Sequence, residues 1–575
     1  MKKKAQKQET ETAAKTVKAE ARTGLPAWAG LALALAAVAA YIPALSGPFL
    51  FDDLNLPMLT AQADVLTWTF YVRRGVRAVT NLSLLADKTL WGLNPAPYHA
   101  LNLLLHLING WLVYGIVKKL LERAGRTPAA AQWGAWFGAG LFLLHPLQTE
   151  GVAYIASRSE VLCALFAYAA CWVFLHSKEE EGAALGRTAA ILLLLGLGMA
   201  SKEPAVAMAG VLLLADVWFG EGLNWRRAMG NWKLYGALAL GGLAAGYKIY
   251  QIVSREGTAG ASAAVSRADY LVTQFKAIWV YVRMVFVPAG LNLDHAYPVT
   301  KAPGDALAWL GLVGLAAVIV GAFVWRKRYP AATLGALTFL VLLAPTSSVV
   351  PIDDRLAERR VYLGFVGLAL MAAEFVSRMN EERWKQAALV GVLAVLGLAT
   401  AVRSSAYGSA EAMWASSVSA NPENGRAHFQ LAYVYYTQGR CGEAAAQYGD
   451  AAKYGKTDYR LLVDWGLALD CAGDSQGALE KLRAATGLER DSHAWSVMGM
   501  VLAKRNETAK ALEALNKALE INSSDEAARV YKGNVYVMMG QPAAAAAEFD
   551  EALKINPANE AALQGKRAAA AGAGR

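Results

Sequence analysis

Cysteine and histidine are scarce in this chain, at four and seven among 575 residues. No CxxC pair occurs, which excludes the common zinc-site spacings. Charged residues make up only 18% against 55% hydrophobic, and the mean hydropathy is positive. So little charge excludes an ordinary soluble protein of this size. The net charge is +10, but much of the excess sits in the N-terminal tail and in short loops. It therefore reports membrane orientation before it reports nucleic acid. No aromatic-basic stripe or nucleic-acid motif accompanies the charge, so nucleic acid is not expected as a partner.

What is present is a change of solvent partway along the chain. Residues 1–25 are rich in Lys, Glu, Ala and Gln and predict a disordered basic cytoplasmic tail. Residues 26–403 carry apolar runs at about 26–45, 97–118, 131–146, 160–176, 187–200, 204–219, 233–252, 304–325, 331–347, 361–378 and 386–402. A spanning helix needs about 20 apolar residues, so the pattern predicts a polytopic bundle of about eleven spans. Segment 267–288 is apolar and aromatic but contains Lys276 and Arg283. It reads as lying along the interface or half-inserted. Lys118, Lys119, Arg123, Arg126, Arg226, Arg227, Arg326–Arg328, Arg378, Arg383 and Lys385 fall on the tail's side. The positive-inside rule makes that side cytoplasmic and sends the C-terminal part outside.

The opposite loops carry charges of both signs. They contain Asp52-Asp53, the run His145–Glu150 continuing to Arg158 and Glu160, Lys202-Glu203, Asp294-His295, Asp353–Arg355 and Glu358–Arg360. Any one cluster reads as a solvated loop. Several on one face describe a polar cavity opening outward, with carboxylates for proton transfer and cations for an anionic ligand. His106 and His145 read as structural histidines, and Cys163 and Cys171 as packing residues.

From about residue 411 the pattern changes to a repeat. Ala432, Gly466, Gly499 and Gly533 recur at spacings of 34, 33 and 34 residues. Gly439, Gly473, Asn506 and Gly540 mark the turns, and Ala444, Ala478, Ala511 and Ala545 the next tight contact. This is tetratricopeptide-repeat (TPR) spacing. It predicts an α-solenoid over 411–570 with a half-repeat, four full repeats and a closing helix. Cys441 and Cys471 fall at helix ends of neighbouring repeats. A disulfide, if the repeats face an oxidising compartment, and two unpaired thiols both remain open. The whole chain is thus predicted to be all-α.

The order of Phe51-Asp52-Asp53, His145–Glu150 with Ser157–Glu160, Lys202-Glu203-Pro204, Gly290–His295 and Ala357–Tyr362, followed by the repeats, resembles the transmembrane and TPR-containing glycosyltransferases. These are relatives of the protein O-mannosyltransferases with a GT-C-type fold. The resemblance implies a polyprenyl-phosphate-linked sugar as donor and protein Ser or Thr hydroxyls as acceptors. Transfer would invert the anomeric centre at the extracytoplasmic face of the inner (plasma) membrane. Asp52 and Asp53 match the family's acidic first outer loop, and Asp52 is the expected base with Asp53 next to it. Arg158, Lys202, Arg359 and Arg360 are the expected donor-phosphate ligands. Glu150, Glu160, Glu203, Asp294, His295 and Glu358 would hydrogen-bond the sugar or orient those cations. Asp353-Asp354 could coordinate a divalent metal, and whichever of Asp52 and Asp53 is not the base could orient the acceptor or bind a metal. No oxygen-rich cage is evident, so no metal ligand is assigned. The TPR surface, periplasmic or otherwise extracytoplasmic, would recruit the acceptor. A glycolipid or cell-wall glycan acceptor remains an alternative, as does a non-catalytic membrane-anchored TPR scaffold.

Overall fold

A computed structural model describes residues 25–59, 68–69, 77–177, 184–256, 265–348, 350–379 and 382–573. The expected basic tail falls on residues 1–24, outside the described residues. The described chain is all-α, and it separates into two compact units, one ending at Met413 and one beginning at Trp414.

The first unit contains helices α1 (Ala29–Tyr41), α2 (Ala78–Trp91), α3 (Pro95–Arg123), α4 (Pro128–Leu144) and α5 (Thr149–Ala153). They are followed by α6 (Arg158–His176), α7 (Ala184–Ser201), α8 (Met208–Val217), α9 (Trp225–Gly230) and α10 (Trp232–Glu256). The last five are α11 (Arg267–Phe286), α12 (Ala306–Val324), α13 (Pro330–Leu343), α14 (Val361–Val376) and α15 (Arg383–Ser405). Helix starts follow local chemistry. Asn94 accepts from the Ala96 N–H ahead of Pro95, and Thr127 accepts from the Ala130 N–H ahead of Pro128. Each side chain satisfies a donor that the first helical turn leaves open, and each proline needs no donor there.

Among the described residues, four stretches are long and apolar enough to cross a membrane: Pro95–Arg123, Ile155–His176, Ala306–Val324 and Arg383–Gly408. Ala29–Ala44, Leu185–Ser201 and Pro330–Leu343 are shorter apolar helices. The expected count of about eleven therefore exceeds what helix length alone supports. Helix α8, for example, has ten residues where a longer span was expected. The ambiguous segment forms α11, which buries Tyr270, Thr273, Gln274, Ala277 and Tyr281 along one side. Helices α13 and α14 cross where Gly335 meets Gly367. A Cβ on Gly335 would stand 2.4 Å from the Gly367 carbonyl oxygen, so only glycine lets the two backbones approach this closely.

Two ends of this unit differ in charge. At one, Glu374 is fully buried and accepts from Arg126 (3.0 Å), Arg378 (2.7 Å) and the Ala331 N–H (2.9 Å). Arg227 pairs with Asp216 at 3.0 Å, and Arg326 donates to the Trp218 carbonyl. These are the basic loops of the sequence, gathered where α14 ends and α4 begins. At the other end, where α14 begins and α4 ends, lie the mixed-charge loops.

The second unit continues the half-repeat helix α16 (Ala410–Ala420) with four helix pairs. They are α17 and α18 (Gly425–Thr437, Cys441–Tyr454), α19 and α20 (Tyr459–Cys471, Ser475–Leu488), α21 and α22 (Ser492–Lys504, Thr508–Ile521), and α23 and α24 (Glu526–Met538, Pro542–Ile555). Helix α25 (Glu560–Ala573) closes the stack. Gly439, Gly473, Asn506 and Gly540 all adopt positive φ, from 61° to 90°, at the turns within pairs. That left-handed turn explains the choice of glycine and asparagine there. Cys441 and Cys471 form a disulfide with a Cα separation of 5.6 Å, closing a loop between residues 30 apart. Cross-links of this loop size contribute about 2–4 kcal/mol. The Cys441→Ser/Cys471→Ser variant is expected to lower the melting point of the repeat unit and speed amide exchange in α18 and α19. Unchanged exchange would make the cross-link dispensable.

Candidate functional site

The loop after α1 winds into a short 3-10 turn, Phe51–Asn55. Asp53 points inward and is 1% exposed. Its two carboxylate oxygens accept from the Leu50 N–H (2.9 Å) and the Ala156 N–H (2.6 Å). Burial pushes the Asp53 carboxyl up to about 8, with the two N–H donors opposing. Its geometry is that of a clasp joining this loop to the Ile155–Ser157 turn. Asp52 points elsewhere. Its side chain is half-buried, and no described group hydrogen-bonds or pairs with its carboxylate. Its backbone N–H donates to the Tyr154 hydroxyl at 2.7 Å. Asp52 is the more exposed of the two adjacent carboxylates.

Tyr154 in turn lies within electrostatic reach of Arg359. Arg359 joins Glu150 through Nη1 and through its backbone N–H (2.9 Å), and Asp354 through Nη2 (3.1 Å). Glu150 has no exposed surface. Burial raises its carboxyl pKa, and the Arg359 charge opposes that. Next along the chain, Glu358 is also fully buried and accepts from the Asn292 N–H (2.6 Å) and from His295 Nε2 (3.0 Å). Asp294 accepts from the Ala296 N–H and holds the same loop. Lys202 is bonded to the buried Glu160, and Glu203 pairs with Arg77 at 3.3 Å. Burial pulls the Lys202 ammonium pKa down while Glu160 opposes, and the charges of both Arg77 and Arg359 reach it. Thr80 at the start of α2 donates to the Ser201 carbonyl and fixes this corner.

One end of the bundle thus brings together Asp52, Asp53, Glu150, Glu160, Lys202, Glu203, Asp294, His295, Glu358 and Arg359. Two expected phosphate ligands are not open to it. Arg158 is fully buried, paired with Asp87 at 2.9 Å and bonded to Asn102 and the Tyr98 carbonyl. It belongs to an internal ion pair, because an arginine this deep needs a carboxylate beside it. Arg360 is 8% exposed and donates to the carbonyls of Asp354, Arg355 and Thr346 and to the Tyr270 hydroxyl. It holds the loop before α14 together, whereas Arg359 lies between the carboxylates of Glu150 and Asp354. His106 bridges the Tyr362 hydroxyl (2.8 Å) and the Leu143 carbonyl, and His145 bridges the Val285 carbonyl and the Leu147 N–H.

Sequence reading missed Arg77, Asp87 and Tyr154 as members of these networks. An arginine at the mouth of an apolar helix needs a carboxylate beside it when buried, so Arg158 pointed to an acid such as Asp87. Nothing local announced Arg77 or Tyr154. Among the described residues, no group of three or more His, Cys, Asp or Glu side chains is arranged to hold a metal ion.

These features define an all-α protein with apolar membrane-length helices, an ionic cluster at one end of the bundle, and a TPR solenoid. The tetratricopeptide repeat family model matches residues 400–459, 463–527 and 497–560. A protein O-mannosyl-transferase of Caenorhabditis elegans is 24% identical over 438 residues, covering 72% of this chain and 61% of the relative. Human protein O-mannosyl-transferase TMTC4 is 25% identical over 474 residues, covering 71% of this chain and 63% of the relative. The chain is therefore similar to TPR-containing protein O-mannosyl-transferases and spans somewhat less than two thirds of the length of these two. It is also similar to the crystal structure of YrrB, a TPR protein with an unusual peptide-binding site, at 23% identity. That match covers 27% of this chain and 81% of YrrB, with a TM-score of 0.24.

Proposed function

We propose that this chain is an integral-membrane glycosyltransferase that moves a sugar from a polyprenyl-phosphate donor to Ser or Thr hydroxyls of proteins. The observation that carries the reading is the open Asp52 carboxylate at the same end of the bundle as Arg359 and Lys202. The kinship with protein O-mannosyl-transferases supports it. In this reading Asp52 takes the acceptor hydroxyl proton as the oxygen attacks the anomeric carbon. The bond from that carbon to the lipid phosphate oxygen breaks, and the carbon inverts. The lipid phosphate leaves with its electron pair, and Arg359 and Lys202 stabilise its charge. A hydroxyl is a weak nucleophile at neutral pH, so the reaction needs a base within reach.

The basic end is assigned to the cytoplasm and the site end to the extracytoplasmic side of the plasma membrane. The TPR unit raises the local concentration of acceptor protein on that side. Membranes containing the wild-type chain, supplied with labelled polyprenyl-phosphate sugar, are expected to label protein. Label confined to lipid or glycan extracts would replace the acceptor class. No label with donor demonstrably present would favour a scaffold.

A further inference from the structure

Between α1, α4 and α15 lies an apolar groove of about 580 Å³. Its walls include Ala32, Ala36, Leu393, Ala394 and Gly397. It runs from Trp28 and Trp133 near the basic end to Leu144 and Ala401 near the site end. Along α15, from Val390 to Ala401, that is roughly 16 Å at the helical rise. Small side chains on three facing helices leave a channel that their own neighbours do not fill.

The surface changes character just past its upper end. The turn Pro146–Gln148 follows α4 and packs on both α15 and Glu358–Arg360. Gln148 is fully buried, yet neither atom of its amide has a partner among the described residues. The Ser404 and Tyr407 hydroxyls, one and two turns beyond Ala401, are also buried and unpartnered. Buried polar atoms left this way are rare and call for a ligand or water. The Arg403 guanidinium lies 5.2 Å from the Tyr407 ring centre, and Tyr407 is within electrostatic reach of Glu150, Glu358 and Arg359. The sequence along the groove is therefore hydrocarbon, then neutral polar groups, then the ionic cluster.

That order matches an amphiphile with a single chain and an anionic head. We propose that the groove between α1, α4 and α15 holds the isoprenoid chain of the polyprenyl-phosphate donor, its phosphate end directed past Gln148 toward Arg359. The inference rests on the transferase reading. A diacyl phospholipid suits the groove less well, because one channel accepts one chain. A second apolar groove of about 560 Å³, lined by Trp279 of α11 and by α12, α13 and α14, reaches Trp325 and Tyr329 near the basic end, and its lining includes none of the ionic-cluster residues.

The test is native mass spectrometry of the full-length, delipidated protein with a long-chain polyprenyl phosphate, and separately with phosphatidylglycerol. Ala36→Trp and Ala394→Trp fill the groove from opposite walls, at helix surfaces that are exposed. Each is expected to weaken polyprenyl phosphate binding about tenfold or more, the equivalent of about 1.4 kcal/mol. Val395→Trp, on an exposed face of α15 outside the groove, is expected to leave binding within about twofold, as surface changes do. Equal loss in Val395→Trp, unchanged binding in both groove variants, or phosphatidylglycerol binding as tightly as polyprenyl phosphate would overturn the proposal. Binding is read without turnover. Loss in Ala394→Trp with no transfer by wild type would keep the groove and remove the transferase reading. Active wild type with unaffected binding in both groove variants would do the reverse.

Discussion

On the proposed transferase reading, Asp52→Asn is expected to abolish most sugar transfer while the protein folds and binds donor as before. A positioned general base contributes about 10²–10⁴-fold in rate, and Asn keeps the shape of Asp52 without its basicity. The Asp52 backbone N–H still reaches Tyr154 in the variant, so the loop stays in place. Asp53→Asn behaves differently. Both Asp53 oxygens accept backbone N–H groups, and an amide replaces one acceptor by a donor that faces another donor. A buried polar group left unsatisfied costs about 1–3 kcal/mol, so Asp53→Asn lowers the melting point and activity together. Transfer rates measured beside melting curves separate the two. If Asp52→Asn keeps more than about a third of wild-type transfer, well above the range for loss of a base, Asp52 is not the base.

The second large effect concerns Arg359. Arg359→Ala strands Glu150 in a site with no exposed surface. Removing one partner of a buried pair costs about 3–5 kcal/mol, chiefly because the remaining charge is uncompensated. The Arg359→Ala/Glu150→Gln double variant recovers much of that loss, since a neutral amide tolerates burial better and still accepts the residue 359 N–H. On the proposed reading neither variant is expected to transfer sugar, because the cation assigned to the departing phosphate is gone from both. Thermal unfolding across the double-mutant cycle gives the coupling. If the two losses simply add, the pair is not coupled in the way the geometry requires.

Much of the fold was legible beforehand, for reasons that differ between the two units. In the repeats, each small residue answers a local demand of packing or turn geometry at fixed spacing. Asn506 could therefore be recognised as the substitute for glycine and is found with positive φ. In the apolar unit, hydropathy located most helices but not their lengths. Helix α8 shows the difference, since the apolar run 204–219 begins in the 3-10 turn Glu203–Ala207, which delays the α-helix to Met208. Hydropathy registers composition and is blind to where hydrogen-bonded turns break.

The candidate site divides along the same line. Charge type and loop position, both properties of the linear sequence, selected Asp52, Glu150, Lys202 and Arg359. They also selected Arg158 and Arg360, which are alike in type and loop position. Only the tertiary structure separated these by their partners: Arg359 lies between Glu150 and Asp354, Arg158 beside Asp87, and Arg360 among backbone carbonyls. Asp87 and Tyr98 around Arg158, and the carbonyls around Arg360, come from distant segments. The sequence by itself determined an all-α chain, the repeat register and the gathering of mixed charge in alternate loops, since these follow from local periodicity and solvent preference. The tertiary structure decided which of two adjacent aspartates is open, which arginines are committed, and where an apolar groove meets the ionic cluster, since burial and partnership depend on residues far apart in the chain.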